Sequence, residues 1–66
     1  MDENEYAGFK AKFFKVFATV PVPLRDEIIA VVDEDTYTWR TANADIEHDA
    51  KNAKSILIQL KKMGII

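Results

Sequence analysis

An α+β fold, built as a small single domain with an N-terminal helix, a β-hairpin and two C-terminal helices in a helix-turn-helix-like arrangement, is predicted by three features of the chain. An aromatic stripe at helical spacing runs from Tyr6 to Phe17 and stops before Pro21 and Pro23. A β-branched run, Ile28 to Val32, is separated by three acids from Thr36-Tyr37-Thr38-Trp39. The last thirty residues, Tyr37 to Ile66, hold two abutting helical patterns. With 66 residues the chain is read as one domain, residues 1–66. A domain of this size removes only about 60% of its unfolded surface from water, so its stability margin is thin and a second copy would widen it.

The first helix is expected from Glu3 to about Ala18. Tyr6, Phe9, Phe13, Val16 and Phe17 fall on one stripe, Lys12 and Lys15 lie opposite, and Asp2 or Asn4 supplies the cap. Such a stripe is read as core. The prolines end the pattern because neither donates to the helical ladder.

Residues 24–33 admit two readings. Leu24, Ile28, Val31 and Val32 fit a helix face with Pro23 in its first turn, which would make the fold mainly α and winged-helix-like. The hairpin is favoured: Asp33-Glu34-Asp35 reads as a turn, and a short strand at Tyr37 needs a partner that Ile28 to Val32 can provide. Thr38 is the expected N-cap of a short helix through about Glu47 with Trp39, Ala42 and Ile46 inside. Asp49 is expected to cap the last helix. Ala50, Ala53, Ile56, Leu57, Leu60 and Met63 gather on one side of it, Lys51, Lys54, Ser55 and Lys62 on the other, and Gly64 stops it.

Composition narrows the function. Hydrophobic residues make up 48% and charged residues 30%, a globular balance. The absence of cysteine removes disulfides, thiolate metal sites and thiol nucleophiles, and suits a reducing, cytoplasmic setting. No membrane span is expected, and the acidic start Asp2-Glu3-Asn4-Glu5 is unlike a signal peptide. Charge is uneven beneath a net of −2: residues 1–20 set three lysines against three acids, residues 21–49 set two arginines against eight acids, and residues 50–66 carry four lysines and no acid. An acidic pI near 5.2 weighs against a free-standing nucleic-acid binder, yet leaves a local basic face.

The C-terminal half resembles a winged helix-turn-helix domain of the arsenical-repressor kind. Tyr37-Thr38-Trp39 looks like the short strand leading into the first motif helix, Ala42 and Ile46 occupy its buried positions, and Asp49 to Met63 looks like a recognition helix. Gly64-Ile65-Ile66 is similar to the entry to the wing, and Pro23 to Ile29 to the helix before the strand. The turn Glu47-His48-Asp49 lacks the glycine often found there, and the sequence stops where the wing would begin. The resemblance implies DNA binding or a transcription-associated role; the same shape also serves protein contacts.

Candidate nucleic-acid contacts are Lys51, Asn52, Lys54, Ser55, Gln59 and Lys62, the lysines for phosphates and the two amides for base edges. Ile58 lies among the lysines instead of with Leu57 and Leu60, and with Ile65 and Ile66 it forms the candidate protein interface. Asp33, Glu34 and Asp35 lack the ligand series of an EF-hand. His48 has no nucleophile arranged beside it, Trp39 is read as core cover, and two glycines make no phosphate loop. The expectation is a non-catalytic protein-interaction domain without cofactor or metal, self-associating or bound to another protein, with a helix-turn-helix DNA-binding protein as the alternative.

Overall fold

The computed structural model describes residues 1–66 as helix α1 (Glu3–Thr19), a single 3-10 turn (Val22–Leu24), strands β1 (Ile28–Val32) and β2 (Asp35–Thr38), and helices α2 (Trp39–Glu47) and α3 (Ala53–Lys62). Residues 24–33 are thus not a helix, and the hairpin reading holds. No helix is long and apolar enough to cross a membrane.

Asp2 starts α1 by accepting the Glu5 N–H at 2.8 Å, and Glu3 and Glu5 place negative charge where the helix dipole favours it. At the other end the chain turns extended at Val20 before Pro21, and the Arg25 Nε donates to the Val20 carbonyl at 3.1 Å. The same guanidinium lies 4.4 Å from the centre of the Phe17 ring, closing the end of α1 over its own apolar face. Phe13 is the one residue of α1 with no exposure; its ring sits 5.9 Å from Phe14, 6.0 Å from Phe17 and 5.9 Å from Trp39.

In the hairpin, Val32 pairs with Asp35, Val31 with Thr36, Ala30 with Tyr37 and Ile28 with Thr38, with a bulge between Ile28 and Ala30. Asp35 is therefore in the strand and Trp39 in the helix, one residue from where composition placed them. The loop is only Asp33-Glu34, at φ 50° and 73°, the left-handed pair that a type I′ turn demands. Asp33 tolerates that region but Glu34 does not, so Asp33→Asn with Glu34→Gly is expected to raise stability by about 1 kcal/mol and the melting temperature by roughly 4–8 °C in a thermal unfolding experiment. No rise would mean that the turn carries no strain.

The outward edge of β1 is covered from α3. The Val31 N–H donates to the Gln59 Oε1 at 2.7 Å, and the Gln59 Nε2 donates to the Val31 carbonyl at 2.7 Å. A side-chain amide thereby stands where a third strand would lie, so the main-chain groups of Val31 are satisfied. Ala30 and Val32 face inward and are buried, while Ile28 and Val31 face out.

Thr38 caps α2 as expected, in a reciprocal pair: the Thr41 N–H donates to the Thr38 Oγ1 at 3.1 Å and the Thr38 N–H to the Thr41 Oγ1 at 2.8 Å. Asp49 does not cap α3. It sits at φ 50° after the end of α2, where the Ala50 N–H reaches back to the Asp45 carbonyl at 2.8 Å and the Asp49 N–H to the Ile46 carbonyl at 3.3 Å. That is a Schellman ending with Asp49 in the place usually held by glycine. The chain needs three more residues to re-enter a helix, so α3 begins at Ala53 and Lys51 and Asn52 precede it. Gly64, at φ 77°, closes α3 in the same way, with the Ile65 N–H on the Leu60 carbonyl at 3.0 Å and the Gly64 N–H on the Lys61 carbonyl at 3.0 Å. Ile56, Leu57 and Leu60 of α3 meet Phe13, Ala42 and Ile46 in the core.

Candidate protein-contact groove

Helical spacing brings two short rows of side chains face to face along the N-terminal half of α1 and the C-terminal half of α3. Glu5 and Phe9 are one turn apart on α1, and Ile58, Lys61 and Lys62 share a turn of α3. With Met1 they line a cavity of about 300 Å³ open to solvent. Its floor is apolar: Phe9 is half-buried, and Ile58 and Met1 remain 38% and 37% exposed. Its rim is mostly basic. The Lys61 ammonium lies 4.9 Å from the centre of the Phe9 ring, so its alkyl stem walls the groove, and the Lys12 ammonium, outside the lining, lies 5.5 Å from the same ring.

The structure redistributes the residues expected to touch nucleic acid. Lys51 lies in the turn before α3 and does not share the helix face. The Asn52 Nδ2 donates to the buried Tyr37 hydroxyl at 2.8 Å, and both ends of the Gln59 amide are spent on Val31, so Gln59 presents no free edge to a base and Asn52 is held by one of its amide groups. Lys54 lies 5.4 Å from the centre of the Tyr6 ring, Ser55 is exposed, and Lys62 belongs to the groove with Ile58. Ile65 and Ile66 do not join Ile58: both are half-buried and pack against the core, because the Schellman ending folds them back along α3. Of the expected protein-interface residues only Ile58 lies in the groove. Phe9, which the aromatic stripe assigned to the core, is what Ile58 faces there; its place at the edge of the stripe was the available signal.

A second cluster was not anticipated. The Tyr6 hydroxyl donates to the Asp49 Oδ1 at 2.5 Å and the Lys10 ammonium donates to the same oxygen at 2.7 Å, tying α1 to the α2–α3 turn. The Lys10 hydrogen bond, followed by that of Tyr6, holds the Asp49 carboxyl below its ordinary range. Desolvation, then the hydrogen bond and negative charge of Asp49, push the Tyr6 hydroxyl up to about 12 from 10.0. A group whose pKa is raised by folding stabilises the fold below its unfolded value and loses that contribution as pH rises through the folded one. Stability is therefore expected to fall between pH 10.0 and about 12, and less in Tyr6→Phe, as read from urea melts across that range. An equal fall in Tyr6→Phe would remove Tyr6 as the cause.

No three His, Asp or Glu side chains come together to hold a metal ion; Asp33, Glu34 and Asp35 do not converge. Comparison of the chain with protein-family models, with curated proteins and with solved structures gives no match.

Proposed function

We propose that this chain is a non-catalytic, self-associating protein-interaction domain whose contact surface is the groove between α1 and α3. The observation that carries this reading is Ile58. It projects away from the buried stripe of Ile56, Leu57 and Leu60, and shares an apolar depression with Phe9 and Met1 in place of standing alone among the lysines. An apolar floor with a charged rim is the usual anatomy of a contact surface.

Sedimentation and amide-shift measurements over a concentration series test it. Association is expected to move the resonances of Phe9, Ile58, Lys61 and Lys62, and Ile58→Asp is expected to weaken it at least about tenfold by placing a charge on the apolar floor. Unchanged association in Ile58→Asp would place the contact elsewhere. Duplex DNA binding through α3, which the helix-turn-helix resemblance implies, has weaker support because the amides of Asn52 and Gln59 are engaged within the fold. Salt-sensitive duplex binding lost on Lys54→Gln and Lys62→Gln would favour it instead.

A further inference from the structure

We propose that the groove receives the β-hairpin of a second copy of the chain, so that copies associate head to tail; this rests on the reading of the groove as a contact surface and names what fills it. The outer face of the hairpin is apolar next to acid. Ile28 is 62% exposed and Val31 51%, and β1 leads into the acidic turn Asp33-Glu34 and Asp35, the first residue of β2. None of those three carboxylates is in an ion pair: the two ion pairs of the fold are Lys10–Asp49 and Arg40–Asp26. The groove is the complement on balance, with Phe9, Ile58 and Met1 as its floor and, at its rim, the ammonium groups of Lys61 and Lys62 outnumbering the single carboxylate of Glu5.

Aliphatic side chains of the hairpin fill the depression while the turn carboxylates meet the two rim lysines, so both partners bury apolar surface and the attraction to Lys61 and Lys62 outweighs the repulsion from Glu5. Groove against groove would set one net-positive rim, two lysines with Glu5, against another, and hairpin against hairpin would bring three acids to three acids. Opposite signs on two different patches of one chain select the heterologous contact. A pair so joined retains one free groove and one free hairpin, so association does not close at two.

Two variants and their mixture decide the matter. Ile58→Asp damages the groove and leaves the hairpin; Val31→Lys with Glu34→Lys reverses the hairpin and leaves the groove. All three side chains are exposed, and circular dichroism checks that both variants fold. Lys62→Glu is a second groove variant should Ile58→Asp fail to fold. Each variant alone is expected to sediment as a monomer where the wild type associates, and an equimolar mixture is expected to form a one-to-one complex, because one intact groove then meets one intact hairpin. A mixture that stays monomeric overturns the proposal. So does self-association of the hairpin variant, which leaves the groove as the surface but with a different occupant. Association of Ile58→Asp equal to wild type overturns the groove reading itself, and a wild type that stays monomeric at millimolar concentration overturns both.

Discussion

Phe13→Ala is expected to remove most of the stability of the fold. The Phe13 side chain has no solvent exposure and is the only fully buried one that α1 contributes, surrounded by the rings of Phe14, Phe17 and Trp39. Cutting a buried phenylalanine to alanine costs about 3–5 kcal/mol in transfer and cavity terms. A 66-residue domain has about 3–10 kcal/mol in all, and this one has no cysteine for a disulfide and no cluster of three metal-ligating side chains to add to it. The loss therefore takes most of the margin. Far-ultraviolet circular dichroism reads the result, with Phe13→Leu as the control that keeps an apolar side chain in the site and is expected to melt cooperatively. A cooperative melt of Phe13→Ala within a few degrees of wild type would show that α1 docks through its half-buried rings instead.

Gln59→Ala is expected to cost about 1–3 kcal/mol, the net loss of two hydrogen bonds that hold the hairpin against α3. Gln59→Glu distinguishes hydrogen bonding from packing. An ionised carboxylate still accepts the Val31 N–H, yet turns its second oxygen toward the Val31 carbonyl, where no donor remains; a protonated carboxyl restores a donor there. The glutamate variant is thus expected to gain stability relative to wild type as pH falls through the carboxyl range, in urea melts at neutral and mildly acidic pH. The same deficit at both would assign the effect to side-chain shape.

Much of the fold was legible because it depends on local chemistry. Prolines at 21 and 23 mark the end of α1, the β-branched run has one available partner, and Thr38 caps α2. The error at Asp49 shows where local reading fails. An aspartate before an apolar helical pattern reads as an N-cap, but here it occupies a left-handed backbone position that glycine would advertise, and its carboxylate is taken by Tyr6 and Lys10, 43 and 39 residues away. The intramolecular hydrogen bonds of Gln59 and Asn52 were not legible for a related reason: helical geometry gives the direction of an amide, not which main chain or hydroxyl it will meet. Ile58 was legible as an oddity of the periodic pattern. Its neighbour Phe9 was not, because a periodic stripe does not distinguish its buried centre at Phe13 from its half-buried edge.

The amide of Gln59 also governs how far this sheet can grow. A two-stranded hairpin ordinarily offers two edges, and a unit with two open edges can add strands without limit, the geometry of a fibril. Here Val31 of β1 is already bonded to a side chain, which leaves β2 as the open side at Thr36. A sheet with one reactive edge behaves as a monofunctional monomer does in polymer chemistry: two copies joined edge to edge consume both ends, and backbone-driven polymerisation terminates at four strands.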